Sequence, residues 1–110
     1  MHWTHLADED QLKQIIVNSQ KKPQVIFKHS TRCSISDVAF KRLQKESIPD
    51  NVDFYYLDLL AHRNISNSIA DTFKVHHESP QILVINNGEC VYDESHLSIN
   101  MADILSNAGN

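Results

Sequence analysis

The chain of 110 residues has no run of lysine or arginine that would follow a phosphate backbone, and its net charge of −4 is mild. Nucleic acid is therefore not an expected partner. No stretch approaches the roughly eighteen uninterrupted apolar residues of a membrane-spanning helix. The segment from Met1 to Asp10 carries neither a basic start nor an apolar core, so no secretion signal is read there. Cysteine occurs only twice, at Cys33 and Cys90. Two thiols without a secretion signal point to reduced cysteines in the cytoplasm rather than to a disulfide framework. Seven histidines invite a metal site, but His76 and His77 are adjacent and no CxxC or HxxxH spacing occurs. Ligands must converge, so no metal is expected, and His76 and His77 read as a solvated loop. Repeats, low-complexity stretches and an interdomain linker are absent too.

What is there is one domain's worth of core, with 41% hydrophobic and 22% charged residues, so positions 1–110 are taken as a single domain. Helical and strand periods alternate along it, the pattern of an α/β fold. Trp3 to Leu6 suggests a short edge strand. Asp8 reads as the cap of a helix carrying Leu12, Ile15 and Ile16, which Lys22-Pro23 closes before a strand from Gln24 to His29. From Cys33, the positions Ile35, Val38, Ala39 and Leu43 predict the inward stripe of a second helix ending near Ser47-Ile48-Pro49-Asp50. Val52 to Leu59 is nearly continuously apolar and aromatic, which predicts a central strand covered on both faces. A third helix carries Ile65, Ile69, Ala70 and Phe73, and the strand Gln81 to Ile85 follows Ser79-Pro80. Asn86-Asn87-Gly88 predicts a hairpin turn into a strand from Glu89 to Asp93. Ser98 then reads as the cap of a last helix with Ile99, Ala102 and Leu105 inward.

The chemistry concentrates at Cys33, where the strand turns through Lys28-His29-Ser30-Thr31-Arg32 into a helix. The first N–H groups of a helix lack internal partners and its dipole is positive there, so the thiolate, the nucleophilic form, is favoured over the thiol. Lys28, His29 and Arg32 would add positive potential, although an ordinary solvated position is the competing reading for Lys28 and Arg32. His29 reads as a strand-end residue rather than a general base. Ser36 stands where a resolving cysteine would be, which points to monothiol exchange; its hydroxyl is expected to donate a hydrogen bond to the thiolate. Cys90 reads as a half-buried structural residue of its strand, with a resolving or metal-binding thiol as the competing reading. A Cys33–Cys90 disulfide is not expected, because a helix mouth and a hairpin strand seldom bring α-carbons within about 7 Å.

A strand ending in a cysteine that opens a helix, with a proline starting the next-to-last strand, resembles the thioredoxin fold. The resemblance implies a three-layer α/β/α domain with a mixed sheet of four or five strands, and a cis bond at Ser79-Pro80 beside the redox cysteine. More narrowly, Phe27-Lys28-His29-Ser30-Thr31-Arg32-Cys33-Ser34-Ile35-Ser36 with Glu78-Ser79-Pro80-Gln81 is similar to the monothiol bacilliredoxins. Members commonly show Thr-Cys-Pro-Ile-Ser; here Arg32 precedes the thiol and Ser34 replaces the proline. Thioredoxin keeps a buried acid where this chain has Phe27, so no dithiol proton relay is implied.

The resemblance implies a thiol–disulfide oxidoreductase that removes bacillithiol from mixed disulfides on cytosolic proteins. Cys33 and Ser36 would be its catalytic residues, and Thr31, Arg32, Ser34, Ser79 and Pro80 would contact substrate. The low-molecular-weight thiol bacillithiol would be a co-substrate, with no bound cofactor. S-thiolated client proteins would be partners, and so would a thiol or disulfide reductase that regenerates Cys33. The competing expectation is a non-enzymatic thioredoxin-like module, either an iron–sulfur carrier sharing a cluster through Cys33 in a dimer or a protein-binding adaptor. A carrier would be brown when purified without oxygen.

Overall fold

The computed structural model describes residues 3–109. Its first helix, α1 (Glu9–Asn18), starts where the sequence places a cap: Asp8 accepts the Gln11 N–H at 2.8 Å and Gln11 Oε1 accepts the Asp8 N–H at 3.2 Å. This reciprocal box satisfies two otherwise orphaned donors. The same Gln11 donates from Nε2 to the His5 carbonyl, tying the helix to the short strand β1 (Thr4–His5).

Strand β2 (Gln24–His29) has all six residues buried and lies in the middle of a five-stranded sheet of order β1-β3-β2-β4-β5. On one side it pairs parallel with β3 (Asp53–Asp58), and on the other antiparallel with β4 (Gln81–Asn86), which pairs antiparallel with β5 (Glu89–Ser95). The strand predicted to be central, Val52 to Leu59, is thus one place from the edge, covered outside only by β1. Its tyrosines explain the misreading. Tyr55 and Tyr56 count as apolar in the sequence but are partly exposed, whereas Phe54 and Leu57 are buried. The β4–β5 connection is the predicted hairpin, with Asn87 and Gly88 both at positive φ (52° and 78°), as a primed turn requires.

Alternation along β2 divides the core. Val25 and Phe27 join α2 (Ser34–Gln44) and α4 (Met101–Asn107) in one cluster, while Ile26 joins α1 and α3 (Arg63–Phe73) in the other. Each fully buried large apolar side chain of this kind contributes about 1.5–3 kcal/mol. The result is helices on both faces of a mixed sheet, as the thioredoxin-like α/β/α reading requires.

Two helical stripes differ from expectation. In α2 the buried residues are Ser36, Ala39 and Leu43, while Ile35 and Val38 are 41% and 48% exposed. The polar residue turned inward because its hydroxyl has buried partners, which a hydrophobic pattern does not register. The last helix is capped by Asn100, whose side chain accepts the Asp103 N–H, rather than by Ser98, which ends a single 3-10 turn (His96–Ser98). Its buried residues are Met101 and Ile104, with Ala108 just beyond; Ala102 faces solvent.

Candidate active site

Cys33 is the N-cap residue of α2, with extended backbone (φ −108°, ψ 118°). Its N–H donates to the Ser30 carbonyl at 3.1 Å, closing the turn from β2, and its carbonyl accepts the Asp37 N–H at 3.0 Å as the first helical bond. No side chain caps the helix from this position. Cys33 thus leaves the amide hydrogens of the first turn without a side-chain cap oxygen. Cys33 is partly exposed and free, flanked by exposed Thr31, Arg32 and Ser34. A cleft of about 660 Å³ opens beside the turn, lined in part by Trp3, His29, Thr31, Phe40 and Tyr56.

Ser36 is fully buried, and its Oγ is held by two partners from the end of β2. It accepts the Ser30 N–H at 3.0 Å and lies 2.8 Å from His29 Nδ1. The hydroxyl expected to serve the thiolate is engaged instead in fixing the turn that presents Cys33. His29, read as a strand-end residue, sits at that end of β2 but is 8% exposed, and its ring packs on Phe27 and Phe40. Desolvation lowers its pKa below the ordinary histidine value, opposed by the negative charges of Asp37 and Asp58. A neutral imidazole accepting at Nδ1 leaves the Ser36 hydroxyl as the donor between them.

The second half of the site comes from the other side of β2. The Ser79–Pro80 peptide bond is cis, in accord with the resemblance to the thioredoxin fold. The antiparallel register pairs Lys28 with Gln81, so the two residues preceding Gln81 lie alongside His29 and Ser30, at the sheet end from which the Cys33 turn departs. Strand pairing thereby brings together two segments distant in sequence. Ser79 Oγ is buried without a hydrogen-bond partner. Pro80 is buried, and its carbonyl accepts the His96 N–H at 3.0 Å. Gln81 holds the preceding loop from within, donating to the His76 carbonyl at 2.9 Å and accepting the Glu78 N–H at 3.4 Å.

One residue of the segment departs from its expected place. Lys28, read as a source of positive potential or a solvated side chain, is 0% exposed, and burial lowers its pKa to about 8. Its Nζ lies 3.1 Å from His77 Nδ1, so His77 is more than a solvated loop residue. The other thiol behaves as predicted. Cys90 is half-buried on β5, donates to the Tyr92 carbonyl at 3.3 Å and has its pKa pushed up to about 11 by burial. Among the described residues, no three or more His, Cys, Asp or Glu side chains converge as a metal site would need, and no helix is long and apolar enough to cross a membrane.

Residues 4–104 match the family described as Monothiol bacilliredoxin BrxC. Among solved structures, a candidate oxidoreductase with a thioredoxin fold is 34% identical, with a TM-score of 0.82 over 97% of this chain and 93% of that one. A thioredoxin from Malassezia sympodialis superposes with a TM-score of 0.77 at 18% identity, over 98% of this chain and 89% of that one. Mitochondrial thioredoxin 3 from Saccharomyces cerevisiae, in its oxidised form, gives 0.70 at 15% identity, over 97% and 93%. At such low identity the two thioredoxins speak for the fold alone.

Proposed function

The chain belongs to the BrxC family of monothiol bacilliredoxins, a thioredoxin-fold redox family, and from that premise we propose that it removes bacillithiol from mixed disulfides on cytoplasmic proteins. The observation that carries the reading is a lone, accessible thiol at the uncapped start of α2, with a buried serine rather than a second thiol one turn on.

The Cys33 thiolate attacks the bacillithiol sulfur of the client's mixed disulfide in line with the S–S bond. A new disulfide forms between Cys33 and bacillithiol, and the client thiolate leaves with the electron pair of the broken bond. A second thiol, from solution or from a partner reductase, then attacks the bacillithiol sulfur of that adduct. Cys33 departs as thiolate, and the second thiol is oxidised to a disulfide with bacillithiol. Ser36 cannot perform this step, because a hydroxyl is not a nucleophile at neutral pH and its oxygen is committed to Ser30 and His29. Thr31, Arg32 and Ser34 surround the reacting sulfur and would contact the small thiol. The backbone at Ser79, ahead of Pro80, would pair with the client's extended chain.

The test is to incubate the purified protein with oxidised bacillithiol and, separately, with oxidised glutathione, and to weigh the intact products. An adduct of bacillithiol mass that maps to Cys33, forms to a greater extent than the glutathione adduct and is absent in Cys33→Ser is the expected result. Equal or preferred labelling by glutathione would overturn the assignment of bacillithiol. No adduct at Cys33 with either would overturn the exchange chemistry.

A further inference from the structure

The loop preceding Pro80 is fastened to the central strand by a side chain that neither the exchange chemistry nor the core requires. A lysine amine at 0% exposure is rare unless paired, and Lys28 has His77 as its partner, 3.1 Å away. The protonated amine has three donors and no acceptor, so the imidazole must offer the Nδ1 lone pair and carry its own proton on Nε2. Ser66 of α3, itself buried, places its hydroxyl 3.5 Å from the same nitrogen. His77 is otherwise solvent-facing, so it covers the amine from outside. Only Ser79 separates Glu78 from the proline, and Gln81 beyond it pairs with Lys28 in the sheet. The strand therefore grips this short loop twice, through the backbone after Pro80 and through the amine before it.

Resting on the thiol-exchange reading above, we propose that Lys28 and His77 are positioning residues: a tie between β2 and the 76–80 loop that holds the Ser79–Pro80 segment in place to receive the backbone of a protein substrate. Such a tie matters for a client protein, which must lie along that segment, and not for a small disulfide, which reaches Cys33 without it. It also depends on pH. His77 is faced by Lys28 from β2, by Arg63 from α3, and by Glu78 and His76 from its own loop; burial and the cations around it hold its pKa below the ordinary histidine value, with Glu78 opposing. Protonating His77 removes the acceptor and sets two cations about 3 Å apart, so the tie is intact above the ordinary histidine range and released as pH falls through the lowered value.

The experiment compares steady-state exchange on two probes across pH 5.5–8: a carrier protein bearing one bacillithiol mixed disulfide, and a small mixed disulfide of bacillithiol with 2-mercaptoethanol. In Lys28→Met, which replaces a buried amine by a thioether of similar length, KM for the protein probe should rise about tenfold while the small probe is unchanged. In His77→Asn, whose amide oxygen can accept where Nδ1 did but cannot be protonated, KM at pH 8 should match the wild type and lose its rise at acid pH. A wild-type KM in Lys28→Met, or an equal rise on both probes, would overturn the proposal. Hydrogen exchange of the 76–79 amides judges it independently of turnover. Faster exchange confined to that loop in Lys28→Met is expected, and unchanged exchange would refute the tie. A wild type inactive on both probes would sink the exchange reading alone.

Discussion

Cys33 and Cys90 are both free and both partly exposed, so accessibility does not tell them apart. What separates them is the place of each sulfur in the fold. Cys90 lies on β5 against the α1–α3 cluster; burial, with the charge of Asp93, penalises its anion and moves its pKa to about 11, backbone hydrogen bonds at Tyr92 and Val84 opposing. Cys33 sits at a helix start whose first-turn amides have no cap side chain to bond. Burial in apolar surroundings makes a thiol inert, and Cys90 has that burial on β5. The contrast is one of place in the fold rather than of exposure.

The largest expected effect tests that contrast outright: Cys33→Ser should abolish release of bacillithiol from a protein mixed disulfide, with no rescue by Cys90, as read by mass spectrometry of the client. Next comes labelling of the native protein with iodoacetamide at pH 8. With a pKa of about 11, only about one Cys90 in a thousand is ionised there. Peptide mapping should find Cys33 modified at least about a hundredfold faster, the ratio collapsing in denaturant. Comparable rates in the folded protein would break the comparison.

Much of this was legible because local signals and fold agreed. Asp8 and Gln11 announce a capping box, Asn86-Asn87-Gly88 a primed turn, and the step from β2 into Cys33 a strand that hands its thiol to a helix. The placement of Ser79–Pro80 at the sheet end from which the Cys33 turn departs was legible only through resemblance, since strand register is a long-range property. Three features were not legible, each for a nameable reason. Ser36 is buried because Ser30 and His29 meet it there, so the pattern that turned Ile35 and Val38 inward was wrong by the strength of two hydrogen bonds. Val52 to Leu59 passed for a central strand because tyrosine is apolar in a count and amphipathic in space. Lys28 lies in a strand that is buried on both faces, so a charged residue there had to be buried as well; the signal was the position of β2 in the sheet, which sequence order does not give.

Burial acts on Lys28 as it does on Cys90, with opposite sign, and this yields the third prediction. The folded protein releases the Lys28 proton near pH 8, whereas the unfolded chain keeps it to about 10.5. Between these values the unfolded state binds more protons, so stability gains up to about 3 kcal/mol from this group as pH rises. Lys28→Met lacks that gain. Cys90, Tyr55 and Tyr92, whose pKa values are raised, work the other way in the same window but are common to both proteins. The stability of the variant minus that of the wild type in urea should therefore fall steadily, by up to about 3 kcal/mol, from pH 8 to 10.5. A constant difference would mean that the amine is solvated.

Ser36→Ala has a smaller expected effect and separates holding the thiol from activating it. Alanine strands the buried Ser30 N–H and removes the partner of His29, costing about 1–3 kcal/mol in urea denaturation. Exchange should persist within a few-fold, because the Cys33 turn is still closed by the Cys33 N–H to the Ser30 carbonyl. A loss of exchange as complete as in Cys33→Ser, in a folded protein, would show that the hydroxyl serves the sulfur after all.

The smallest effect belongs to Cys90→Ala, the converse of Cys33→Ser. Its sulfur packs at the edge of the α1–α3 cluster and donates one weak hydrogen bond. Truncation removes that contact and about one heavy atom of half-buried surface, worth roughly 1 kcal/mol or less. Turnover, KM for the protein probe and the labelling rate of Cys33 should all be unchanged. A fall in turnover would mean that Cys90 resolves the Cys33 adduct, so that one chain supplies both thiols and the second thiol is not recruited from outside.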